Sequence, residues 1–197
     1  MIFLYKLICH RGIHNKNIKE NSYESINNAL NNSEYVGVEF DIRSTLDNEL
    51  ILFHNPMYNN RLISKTNYSE LPKYVPKLED ILSIQSNKIF LIEIKNIENN
   101  YDKFFDIMYK YSNKNIYVMS FSNNIIKKIN KDNRTYKIGV LNYILNTNED
   151  IKELDFVGIL NGFITDEVKN KLKNKEIFSY GLFEIKKYKD IYYIVDN

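Results

Sequence analysis

Apolar and β-branched residues fall in short runs along the chain, at residues 3–9, 36–43, 89–94, 116–120, 136–141, 156–160, 177–181 and 191–195. Most of the stretches between them repeat their apolar positions at helical spacing. Strand-length runs alternating with helical periodicity are the pattern of β/α units on a parallel sheet. The clearest helix covers 22–31. Ser22 stands at its N-cap, Glu24 and Ser25 lie in its first turn, and Ile26, Ala29 and Leu30 share one face. Further helices are predicted at 78–84, 101–111, 123–130 and 165–174, while 142–154 and 183–190 read as short irregular connections. An extra run at 50–53 follows the turn-like Asp47-Asn48 and should pair back on the second strand as a hairpin. Eight strands with helical connections predict an α/β fold, a compact (β/α)8 TIM barrel below the usual ~250 residues, with this short hairpin strand added. A doubly wound open sheet would usually carry a glycine-rich loop after the first strand, and none follows here.

Composition narrows the picture. A chain of 197 residues with 44% hydrophobic content fits one well-cored domain over 1–197. A net charge of +2 offers no basic nucleic-acid surface and no acidic tail, so any anion must be gripped locally. Cys9 is the only cysteine, which fits a reducing compartment, and its place inside an apolar run makes it a buried hydrophobe rather than a nucleophile. The opening MIFLYKLIC is too short to span a bilayer and reads as a first strand, not a leader. The expectation is a cytoplasmic protein with no integral membrane segment and no nucleic-acid partner.

The chemistry gathers at run ends: His10-Arg11-Gly12, Glu20-Asn21-Ser22, Glu39-Phe40-Asp41, His54 and Glu93-Ile94-Lys95. Residues two apart in a strand point to the same face, about 6.5–7 Å apart. Glu39 and Asp41 therefore share a face opposite Val38, Phe40 and Ile42, as Leu91, Glu93 and Lys95 do opposite Ile92 and Ile94. Carboxylates aimed into a barrel are costly without a cation or donors. Oxygen ligands at this density suit Mg²⁺ or Ca²⁺ better than zinc; a metal-free Glu93–Lys95 salt bridge is the plainer alternative. His10 and His54 can reach the same mouth, and imidazoles near their ordinary pKa can serve as a proton donor and acceptor pair. Arg11 offers a fork for phosphate oxygens, Lys95 a point charge, and Gly12 a tight backbone turn beneath them. His14 lies in the following loop, exposed or near the substrate. The set points to metal-assisted cleavage of a phosphodiester.

In ICHRG, KENSYESINNAL, GVEFDIRSTLDNELILFHN, NRLISKTNYSEL, VPKLEDIL and FLIEIKN the chain resembles the glycerophosphodiester phosphodiesterase family, in order and spacing from about Ile8 to Asn96. VMSFS and YYIVDN are similar to the family's later strands. The resemblance implies a (β/α)8 barrel with a divalent metal on Glu39, Asp41 and Glu93, His10 and His54 as the acid/base pair, and Arg11 and Lys95 on phosphate. It also implies a small-molecule glycerophosphodiester substrate, with a neighbouring substrate hydroxyl able to attack phosphorus and give a cyclic phosphate. The chain departs from the family in having Asn55 where Asp usually follows the second histidine, and FSYGL where a Trp motif is common, with Tyr180 as a replacement aromatic wall. The segment after His54, 55–76, is short, which implies an open pocket.

Exposed aromatics near the mouth, with Phe121 and Tyr143 as candidates, would favour lysophospholipids, although such residues are more often core. A nuclease built on Asp41 and Glu93-Ile94-Lys95 leaves both histidines and Arg11 without a role. A catalytically idle headgroup-binding barrel has only Asn55 and the missing Trp motif in its support.

Overall fold

The computed structural model describes residues 5–97, 100–145, 151–181 and 188–197. Eleven strands are formed among them: β1 (Lys6–His10), β2 (Tyr35–Ser44), β3 (Leu50–Leu52), β4 (Met57–Tyr58), β5 (Arg61–Leu62), β6 (Ile89–Asn96), β7 (Asn115–Ser120), β8 (Lys137–Asn142), β9 (Phe156–Leu160), β10 (Glu176–Tyr180) and β11 (Tyr192–Val195). The helices are α1 (Tyr23–Asn31), α2 (Leu78–Leu82), α3 (Tyr101–Lys110), α4 (Asn123–Ile129) and α5 (Asp166–Lys171). The sheet runs β1-β11-β10-β9-β8-β7-β6-β2, and β1 pairs with β2 to close it. Every pairing around this ring is parallel, so the fold is a closed eight-stranded TIM barrel. β3 adds to β2 antiparallel with Ile42 opposite Leu52, the hairpin expected from Asp47-Asn48.

Strand alternation divides the core in two. Val38, Phe40, Ile42, Ile92 and Ile94 pack outward under Ile26, Ala29, Leu30, Leu78 and Phe104 of the helices. Ile8, Leu91, Met119, Leu141, Phe156, Phe178 and Ile194 fill the barrel. At the end where the strands begin, Glu176 accepts from Tyr117 Oη and Tyr192 Oη, each at 3.2 Å, and from Lys137 Nζ at 2.7 Å. These side chains plug that end, so open chemistry is left to the rim where the strands finish. No helix among the described residues is long and apolar enough to cross a membrane.

α1 begins as expected, with reciprocal 3.1 Å bonds between the backbone N–H and side-chain oxygen of Ser22 and Ser25. Other boundaries move. α2 stops at Leu82, not 84, because Ser83 Oγ donates to the Asp80 carbonyl at 2.7 Å and the turn tightens. α5 starts after Thr165, which caps it, and stops at Lys171 because the chain must turn into β10. The β4–β5 hairpin was not foreseen. Its turn is Asn59-Asn60 with φ of 45° and 60°, the left-handed pair that a two-residue hairpin favours. Residues 3–4, 146–150 and 183–187 of the predicted elements lie outside the described residues.

Candidate active site

β2 carries Glu39 and Asp41 into the barrel mouth, and β6 brings Glu93 beside Asp41 in register. All three are buried, and one oxygen from each lies within 4.8 Å of the others. Burial pushes the Glu39 carboxyl well above the usual range, with the charges of Asp41 and Glu93 adding to it and Arg11 opposing. Burial also raises Glu93, against the pull of Lys95. Asp41 Oδ1 is buried with no hydrogen-bond donor aligned to it among the described residues, although Lys95 Nζ stands 3.2 Å away. Three crowded carboxylates, two of them held toward neutrality and the third with an unsatisfied oxygen, fit a hard divalent cation. Lys95 Nζ also contacts Glu93 Oε1, so the salt bridge weighed from sequence exists inside this same cluster. Burial works against the ammonium, but Asp41 and Glu93 overcome it and raise its pKa.

The turn after β1 supplies the opposing charge. Arg11 adopts φ 54°; its backbone N–H donates to Glu39 Oε2 at 3.2 Å, and its Nη1 donates to Glu20 at 3.0 and 3.2 Å. Its Nε lies 3.3 Å from Asp41 Oδ2. Asn21, at φ 55°, donates through Nδ2 to Asp41 Oδ2 at 2.9 Å and accepts the Asp41 backbone N–H at 3.1 Å. Glu20 and Asn21 thus fix Arg11 and Asp41. Sequence reasoning noticed their motif but assigned them no place in the site.

Gly12 between them has φ 77°, and a Cβ there would lie 2.4 Å from the Ser25 carbonyl carbon and 2.5 Å from its oxygen. Gly12→Ala is expected to cost roughly 2–4 kcal/mol through strain and backbone overlap. Thermal unfolding should fall by roughly 5–15 °C; an unchanged midpoint would contradict this geometry.

His10 at the end of β1 places Nε2 3.8 Å from Glu39 Oε2, and its Nδ1 lies 2.6 Å from Asp196 Oδ1. His54 follows β3. Its backbone carbonyl accepts from Arg43 Nε at 3.0 Å and Nη2 at 2.7 Å, and its Nδ1 lies 3.1 Å from Asn55 Oδ1. Burial lowers the His54 pKa; Asp41 and the contact with Asn55 oppose this, while Arg11 and Lys95 reinforce it. A pocket at the rim is walled by His10, Glu39, Glu93, Phe121, Leu141 and Tyr180. Tyr180 Oη donates to the Asn142 carbonyl at 3.0 Å. Phe121 and Tyr143 are 43% and 65% exposed with ring centroids 5.4 Å apart, an open shelf rather than core. His14 sits with Nδ1 2.9 Å from the Gly12 carbonyl, in the loop and half-buried. Cys9 is fully buried, and burial lifts its thiol to about 12, in keeping with a packing role.

The profile of the glycerophosphoryl diester phosphodiesterase family matches residues 10–163, from His10 through β9. The chain belongs to this family. As a family member it is an enzyme, a phosphoric diester hydrolase. Solved structures with the same fold include an Oleispira antarctica phosphodiesterase in complex with the product sn-glycerol-3-phosphate (16% identity, 98% of this chain and 93% of that chain, TM-score 0.82). A Galdieria sulphuraria protein assigned as a glycerophosphodiester phosphodiesterase aligns at 17% identity over 99% of this chain and 94% of its own, TM-score 0.81. The Thermotoga maritima glycerophosphodiester phosphodiesterase aligns at 21% identity over 98% and 94%, TM-score 0.77. No curated protein sequence matches the chain significantly.

In this glycerophosphodiester phosphodiesterase the acid cluster has a measurable cost without metal. A carboxyl whose folded pKa is raised stabilises the fold only while protonated, below its unfolded value, and that contribution is lost as pH rises through the folded pKa. Glu39→Gln should therefore raise the unfolding midpoint in chelator at alkaline pH, and the gain should shrink as the pH falls and the native carboxyl takes up its proton. A gain independent of pH would show that Glu39 is not the group held neutral.

Proposed function

We propose that this one-domain barrel cleaves glycerophosphodiesters to an alcohol and glycerol phosphate, with His10 and His54 moving the protons and Glu39, Asp41 and Glu93 holding Mg²⁺ or Ca²⁺. The observation that carries the reading is the convergence of His10, Glu39 and Glu93 on one rim pocket beside His54, Arg11 and Lys95, within the span matched by the family. A bound divalent cation supplies charge stabilisation at the phosphoryl oxygens. His54, kept neutral by burial, takes the proton of the attacking hydroxyl, and His10 gives one to the leaving oxygen as the new P–O bond forms and the old one breaks. Attack by a water gives glycerol phosphate directly; attack by a neighbouring substrate hydroxyl gives a cyclic phosphate. Arg11 and Lys95 place positive charge beside the acids where a phosphate would enter, and Tyr180 walls the alcohol side.

The test is release of glycerol phosphate from glycerophosphocholine and its ethanolamine analogue, with Mg²⁺, Ca²⁺ or chelator. Metal-dependent release lost in His10→Ala is the expected result; release that ignores chelator or survives His10→Ala would defeat the reading. The exposed Phe121–Tyr143 shelf, with Ile144 58% exposed beside it, favours lysophospholipids as a second substrate class. If that reading holds, Phe121→Ser should weaken turnover of a lysophospholipid and spare glycerophosphocholine.

A further inference from the structure

We propose that Asp196 is a positioning residue for His10: its carboxylate accepts the Nδ1–H bond and so aims Nε2, the nitrogen that gives up its proton, into the rim pocket. The proposal rests on the reading of His10 as a proton-transfer group. Asp196 Oδ1 lies 2.6 Å from His10 Nδ1, although the two residues are 186 positions apart in sequence.

Barrel closure makes the pair. β11 runs parallel to β1 with Val195 beside Cys9, so the next residue on each strand, Asp196 and His10, emerges side by side at the rim. Asn197 then holds the segment in place, donating from Nδ2 to the His14 carbonyl at 2.8 Å and accepting the His14 backbone N–H at 3.1 Å. Asp196 is thereby fixed on one side by the strand pairing and on the other by this two-bond clamp.

A carboxylate only accepts, so the ring nitrogen it faces must carry the proton. Nε2 is left toward Glu39, 3.8 Å away, and toward the pocket that both residues line. In this orientation the reactive nitrogen faces the substrate and the ring cannot flip without giving up a charge-assisted bond. The Asp196 side chain is 82% exposed, so it fills no core space and its removal leaves the packing intact.

The experiment compares Asp196→Ala and Asp196→Asn in wild-type and His10→Ala backgrounds, reading kcat, KM, divalent-cation affinity and unfolding midpoint. Both variants should lower kcat on the order of 10–100-fold, the usual loss when a histidine's orienting partner is removed. KM, cation affinity and unfolding midpoint should stay near wild type. In the His10→Ala background Asp196→Ala should cost nothing more, because its effect runs through the missing ring. Nitrogen-15 spectra of labelled histidine should show a strongly hydrogen-bonded Nδ1–H on His10 in the wild type that is lost in Asp196→Ala. Wild-type kcat in both Asp196 variants, with His10→Ala inactive, would overturn this proposal alone. A further tenfold loss on top of His10→Ala would overturn it too, by showing that Asp196 acts elsewhere. Turnover that survives His10→Ala would defeat the acid–base reading first, and this proposal with it.

Discussion

Asp41→Asn is expected to lower kcat/KM by about 10³-fold or more and to weaken Mg²⁺ or Ca²⁺ binding in parallel, with little loss of folding stability. Asp41 lies between the two halves of the cluster. Its Oδ2 is held by Asn21 Nδ2 at 2.9 Å, while its buried Oδ1 has no aligned donor among the described residues. Asparagine keeps the shape and can still accept from Asn21, but it removes the charge that Lys95 Nζ at 3.2 Å and Arg11 Nε at 3.3 Å both face. Neither cation is then left uncompensated, because Lys95 retains Glu93 and Arg11 retains Glu20. Removing the charge also relieves Glu39 and Glu93, whose carboxyls Asp41 helps to push up. Calorimetric titration of the divalent cation together with turnover measures both halves of the prediction. Wild-type cation affinity in Asp41→Asn would mean that the acids serve the Lys95 and Arg11 ion pairs and that the cation binds elsewhere.

The extent to which this site can be read from the chain depends on whether its contacts follow strand periodicity. Glu39, Asp41 and Glu93 were legible because a period of two places them on the face opposite Phe40 and Ile92, and the observed register puts Asp41 beside Glu93. The β2–β3 hairpin was legible because Asp47-Asn48 interrupts two apolar runs. Contacts made across the fold were not. Asp196 meets His10 only because the barrel closes, and no local pattern announces which strand ends become neighbours. Asn21 reaches Asp41 because two left-handed residues, Arg11 and Asn21, fold the first loop back over the rim. Arg43 looks like an ordinary exposed strand end, yet it clamps the His54 carbonyl with two bonds. The β4–β5 turn was hidden because Asn59-Asn60 does not stand out in a chain rich in asparagine.

His54→Ala should reduce kcat by roughly 10²–10⁴-fold, the usual scale for a lost proton-transfer group, and leave cation affinity unchanged. Arg43 holds the His54 carbonyl at 2.7 and 3.0 Å, which fixes the backbone that carries the ring. Among the described residues the ring's side-chain partner is Asn55, whose Oδ1 lies 3.1 Å from Nδ1. An amide oxygen can accept from Nδ1–H but brings no charge, so burial sets the direction of the pKa shift and favours the neutral imidazole. Asn55→Asp puts a carboxylate at the same distance. Its charge favours the imidazolium, so the His54 pKa rises and the acid limb of the pH–kcat profile moves to higher pH, lowering activity at pH 6 more than at pH 8. An acid limb that stays in place in Asn55→Asp would remove His54 from the role of base. A limb that moves in Asn55→Asp, combined with intact cation binding in His54→Ala, would separate the proton-transfer group from the acid cluster it faces.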